Sequence, residues 1–158
     1  MFIRRTTTFM QTSVEAVRKS LVVECSPERA FEVFTREVGS WWPLHEHSIG
    51  GKEITEVVWE QQVGGRIYER HVDGGEGEWG RVLAWDPPAR FVMSWYPGKD
   101  DSQATELEVR FTAEGSGTRV DLEHRGWEIF ADEARETRDN YDNGWPTVLG
   151  YFERTLED

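Results

Sequence analysis

In TELEVRFTAEGSGTRVDLEHRGW, Thr105 to Trp127, two runs of strict alternation flank a glycine-rich turn. Leu107, Val109 and Phe111 alternate with Glu106, Glu108 and Arg110; Val120, Leu122 and His124 alternate with Arg119, Asp121 and Glu123. Successive side chains of a strand point to opposite faces, so the pattern describes an antiparallel hairpin with one wet and one buried face. By that parity His124 points inward, beside Val120 and Leu122.

The same period of two extends back to Ile54. Turn chemistry in VGGR, DGGEG, DPPAR, YPGKDD and EGSGTR separates six strands, placed near 54 to 60, 66 to 72, 77 to 85, 90 to 96, 104 to 113 and 118 to 126. VGGR and DGGEG read as hairpin turns because neither leads from a strand into a helix, as a phosphate-binding loop does. Upstream, EAVRKSLVVE gives a first strand through Val17, Leu21 and Val23. A helix follows, with Ser26 as N-cap, Pro27 at its first position, Ala30, Phe31, Phe34 and Val38 as its apolar stripe, and Gly39 as its end. The last segment returns to helical spacing: Tyr141, Trp145, Val148, Leu149, Phe152 and Leu156 share one face, with a kink or fresh start expected between Asn143 and Pro146. These elements make an α+β domain whose curved seven-stranded antiparallel sheet is covered by a long C-terminal helix.

At 158 residues the chain suits one domain, read as 15 to 158 behind an N-terminal extension at 1 to 14 without clear periodicity. The formal charge of −12 disfavours nucleic acid and anionic membrane surfaces as partners. The opening residues hold no apolar run of the length expected of a signal peptide, and no apolar stretch approaches a membrane span. The single cysteine, Cys25, cannot form an internal disulfide, and the chain reads as cytoplasmic. Eight tryptophans at a mean hydropathy of −0.66 concentrate apolar area in a few large rings, each contributing about 4 to 6 kcal/mol as an upper bound when fully buried.

SPERAFEVFT, WWP, VGGRIYER, GRVLAWDPPARFVMSW, TELEVRFTAEGSGTRVDLEHRGW and GWPTVLGYFERTL, in that order and spacing over roughly 15 to 157, resemble one family throughout. The chain is similar to the bacterial proteins related to the activator of the ninety-kilodalton heat-shock-protein ATPase, within the SRPBCC superfamily of START-like, helix-grip proteins. The resemblance implies a helix-grip fold with a cavity between sheet and C-terminal helix. That superfamily includes lipid and hormone carriers, polyketide cyclases and aromatases, and co-chaperones, so the fold alone does not choose among them.

In SWWPLHEHSIG, Trp41 and Trp42 read either as plugs at the end of the sheet or as the apolar rim of a pocket. His45 and His47 can chelate in principle, but further ligands are missing nearby, so they remain a weak alternative for a metal. No cofactor is expected. In RIYERHV either Tyr68 with Arg70 or Glu69 with His71 occupies the inner face, depending on register, and the faces of Trp59, Trp79 and Trp85 depend on bulges. The leading reading is a non-catalytic protein that holds a small apolar or aromatic molecule between sheet and helix. Trp42, Tyr68, Trp95, Trp145, Leu149 and Phe152 are its walls, and His124 is the orienting hydrogen bond. One alternative is a cyclase-, aromatase- or hydrolase-like enzyme in the same cavity with His124 as acid or base; another is a chaperone-interacting module. A homodimer that covers spare aromatic area is compatible with this composition.

Overall fold

The computed structural model describes residues 14–43 and 53–157. His45 and His47, and the extension apart from Val14, lie outside the described residues. The elements run β1 (Val17–Val23), α1 (Pro27–Phe34), a 3-10 turn (Val38–Ser40), β2 (Ile54–Trp59), β3 (Arg66–His71), β4 (Glu76–Asp86), β5 (Arg90–Trp95), a second 3-10 turn (Asp101–Gln103), β6 (Thr105–Glu114), β7 (Gly117–Arg125), a 3-10 segment (Trp127–Glu133) and α2 (Ala134–Glu157). Seven strands form one antiparallel sheet in the order β1-β7-β6-β5-β4-β3-β2. Strands β2 to β7 are a continuous meander, and β1 pairs with β7 from Val17 opposite His124 to Val23 opposite Thr118. The β6–β7 hairpin has the register its alternation dictates, with Leu107 opposite His124 and Val109 opposite Leu122.

Helix α1 begins as its sequence requires: the Ser26 hydroxyl accepts from the Arg29 N–H at 3.1 Å, and Pro27 occupies the first turn. It ends earlier than the apolar stripe implies, at Phe34 rather than Gly39. The chain leaves helical geometry at Thr35, φ −97° and ψ −83°, whose N–H and hydroxyl both donate to the Phe31 carbonyl, at 3.1 and 2.7 Å. Val38 is therefore buried from a separate 3-10 turn. The Trp41 indole N–H closes the junction by donating to the Val33 carbonyl at 2.8 Å, one of the helix's terminal carbonyls.

The terminal helix makes no fresh start at the proline: α2 runs from Ala134 to Glu157 with Pro146 inside it. An interior proline costs about 3 kcal/mol. Burial of Trp145, Val148, Leu149 and Phe152 along one stripe offsets that cost, at about 1.5 to 3 kcal/mol for each aliphatic or phenylalanine side chain. Lys19 of β1 clamps the same turn through Asp142 at 2.8 Å, and Arg138 donates to the carbonyls of Glu15 and Ala16 at 3.1 and 3.3 Å.

Bulges set which tryptophans face the core. The register between β3 and β4 slips between Ile67 and Tyr68, where Trp79 is the extra residue, and slips again between β4 and β5 around Val82 and Ala84. Trp59, Trp79 and Trp85 consequently all pack inward, Trp59 against Phe91, Trp79 against Trp42 and Trp85 against Phe31. Gly80 sits at the first bulge because a Cβ there would lie 1.7 Å from the Ser94 carbonyl oxygen.

Candidate functional site

Four tryptophans converge between the concave sheet and α2. Trp42 leaves the turn after α1, Trp79 and Trp95 come from β4 and β5, and Trp145 comes from α2. Trp42 has ring centroids 4.8 Å from Trp79, 5.8 Å from Trp95 and 6.1 Å from Trp145, and Trp95 lies 5.7 Å from Trp145. All are tilted or edge-on pairs of the favoured kind. Trp42 is the most exposed of the four at 9% and the only one held by a turn rather than by a strand or helix. Beside them a cleft of about 30 Å³, the size of one water, opens between Trp95, Thr105, Phe130 and Tyr141.

His124 belongs to this cluster but is closed to a ligand. It is 0% exposed; its Nδ1 accepts from the Trp145 indole at 3.1 Å, and its Nε2 bonds the Thr105 hydroxyl at 2.7 Å. Because Nδ1 accepts, Nε2 carries the proton and donates to Thr105, whose hydroxyl lies 3.3 Å from the Trp95 carbonyl. Burial lowers its pKa from 6.5 to about 3, so the ring is neutral at physiological pH. Neither ring nitrogen is left to orient a ligand or to move its proton. What His124 does is fix the indole of Trp145, while its own carbonyl accepts from Trp127 at 2.9 Å.

Of the seven site residues expected from sequence, Trp42, Trp95, His124 and Trp145 come together. Leu149 lies in the same core, and Phe152 packs one layer away on Phe34 and Trp41, at 5.0 and 5.3 Å. Tyr68 is a correction: it lies on the opposite, convex face of β3. The Arg66 guanidinium stacks 4.0 Å from its ring centroid and Arg70 donates to its hydroxyl at 3.1 Å. Those two arginines leave the ring only 6% exposed, so it is buried without facing the cavity.

Glu69 and His71 take the inner face instead. The Trp79 indole donates to Glu69 Oε1 at 2.8 Å, and His71 Nε2 lies 2.7 Å from Glu69 Oε2. A carboxylate with no exposed surface on an apolar face is expensive unless held in this way. Trp79 thus joins the tryptophan wall to a polar dyad, and sequence parity gave both Glu69 and Trp79 only as open alternatives. Among the described residues no three His, Cys, Asp or Glu side chains converge so as to hold a metal ion.

A curved sheet gripped by a C-terminal helix, with aromatic side chains between the two, defines a helix-grip protein of the SRPBCC superfamily. The chain belongs to the family described as activator of Hsp90 ATPase homolog 1-like protein, whose model matches residues 24–157. Members of that fold family bind ligands or act as polyketide cyclases or aromatases. Among solved structures, an anthrahydroquino-γ-pyrone synthase, Txn09, is 36% identical over 90% of this chain and 97% of its own, with a TM-score of 0.61. CalC, a self-sacrificing resistance protein from Micromonospora echinospora, is 27% identical over 90% and 94%, with a TM-score of 0.65. The Aha1 dimer from Colwellia psychrerythraea, 18% identical over 91% and 97% with a TM-score of 0.67, shares the fold. No curated protein matches the chain. Among the described residues no helix is long and apolar enough to cross a membrane.

Proposed function

We propose that this protein binds a planar, hydroxylated polycyclic aromatic molecule against the tryptophan wall between sheet and α2. The observation that carries the reading is the convergence of Trp42, Trp79, Trp95 and Trp145 on one point of the concave face. In the described state these rings touch one another, so a ligand exchanges ring–ring contacts within the wall for contacts with itself. Trp79 and Trp95 are carried by the sheet and Trp145 is held by its bond to His124, so three of the four rings keep fixed positions for a ligand to pack against. The similarity to a synthase named for an anthrahydroquinone-fused pyrone supports a fused-ring ligand, and it favours a second reading in which the bound molecule is cyclised. Calorimetric titration with 2-hydroxyanthraquinone tests the binding reading. One-to-one binding is expected, weakened about tenfold in Trp42→Ala, because one lost aromatic stacking face is worth about 1 to 3 kcal/mol. Equal affinity in the variant refutes the wall as the site.

A further inference from the structure

We propose that His71 is the proton acceptor for the hydroxyl of a ligand on the tryptophan wall, with Glu69 and Trp79 as its positioning residues. The proposal rests on the binding reading above and gives it a chemical function. Three hydrogen-bonding groups stand in line on the inner face: Trp79 Nε1 donates to Glu69 Oε1, and Glu69 Oε2 meets His71 Nε2. A carboxylate can only accept, so the shared proton sits on Nε2, and in the tautomer with one ring proton the lone pair is at Nδ1. This is the arrangement of a base oriented by a buried third group.

Among the described residues Nδ1 has no hydrogen-bond partner. His71 is 8% exposed at the end of β3, where the turn to β4 passes Gly75, and a Cβ at Gly75 would stand 3.6 Å from Nδ1. The contrast with His124 is chemical. Both are inward histidines on the same sheet, but His124 has spent both nitrogens on Trp145 and Thr105, whereas His71 has spent one on a carboxylate. Trp79 ties this base to the wall, since its ring lies 4.8 Å from Trp42 and 5.9 Å from Trp95. Among the described residues the other ionisable groups nearby are Asp73 in the turn, Glu53 ahead of β2, and Glu76 on β4, which pairs with Arg66 at 2.8 Å.

In the step itself the phenolic O–H bond breaks, its electron pair stays on the ligand oxygen and the proton moves to Nδ1. The imidazolium so formed is held by the Glu69 carboxylate. Return of the proton to a carbon or carbonyl oxygen of the ligand restores the neutral ring, with no oxidant or other co-reactant consumed.

The test uses 2-hydroxyanthraquinone, whose visible band moves to long wavelength on ionisation, in mildly acidic buffer where the free dye is mostly un-ionised. Bound to the wild-type protein, its ionised-to-neutral ratio is expected to rise about tenfold, equivalent to one pKa unit. At saturating protein, His71→Gln should lose that rise in the bound dye, Glu69→Gln should lose most of it, and Glu69→Asp should regain part. Nitrogen-15 spectra of the wild-type protein provide a reading without substitution: His71 is expected to be the Nε2–H tautomer when free and doubly protonated when the dye is bound. A rise that persists in His71→Gln, or a His71 ring unchanged by the dye, overturns the proposal while leaving binding intact. Absence of dye binding to the wild type overturns the binding reading and this proposal with it.

Discussion

Replacing His124 by Gln should change how stability depends on pH more than stability itself. The folded ring has its pKa lowered to about 3 by burial, against 6.5 when unfolded. As pH falls below 6.5 the unfolded chain takes up a proton that the folded chain refuses, so stability declines until pH passes the folded value. The slope in that window is about 1.4 kcal/mol per pH unit. From about pH 7 to pH 4.5 it integrates to about 2.5 kcal/mol. The glutamine amide can still bond Thr105 or Trp145 but does not titrate, so the variant starts less stable and loses about 2.5 kcal/mol less over the same interval. Urea titrations at several pH values, with tryptophan fluorescence as the probe, give the two curves. Carboxylates common to both proteins cancel in the difference. Parallel curves would refute the reasoning, because they would mean that His124 is protonated in the folded protein and that its bonds to Trp145 and Thr105 are not as described.

Two further outcomes follow from local backbone geometry. Ala131 lies at a kink inside the 3-10 segment at φ 51°, ψ −118°, which an L side chain resists, so Ala131→Gly should raise stability by about 1 kcal/mol, measured by urea denaturation. Gly80→Ala should do the reverse, because its methyl would fall 1.7 Å from the Ser94 carbonyl oxygen; a loss of more than about 2 kcal/mol and displaced Trp79 fluorescence are expected, and wild-type stability would show that the bulge is elsewhere.

The parts of this molecule that obey one period were legible in the sequence. Strict alternation through β6 and β7 fixed the hairpin, its register and the inward direction of His124, and Ser26 with Pro27 fixed the start of α1. Where two local forces competed, the sequence reading faltered. The chain leaves α1 at Thr35, which a stripe of apolar residues does not reveal. Pro146 argues for a break that the buried stripe of α2 overrides. In β3 an aromatic side chain reads as inward and a carboxylate as outward, yet Tyr68 is covered by two arginines outside while Glu69 is satisfied by Trp79 and His71 inside. The signal that would have found Glu69 is a partner across a bulge, and a bulge's position depends on the whole sheet rather than on one strand. His124 was legible as inward but not as closed, since Thr105 and Trp145 reach it from a neighbouring strand and from the helix.

All eight tryptophans lie in described segments, so their indole N–H resonances report on both ends of the core at once. Two-dimensional nitrogen-15 spectra of the uniformly labelled protein, assigned with single Trp→Phe variants and recorded with increasing 2-hydroxyanthraquinone, address the central claim most directly. Saturable shifts are expected for Trp42, Trp79, Trp95 and Trp145, with Trp59 and Trp85 at the other end of the aromatic core unmoved. Shifts confined to Trp59 and Trp85, or a spectrum that the dye leaves unchanged, would contradict a ligand wall between the sheet and α2.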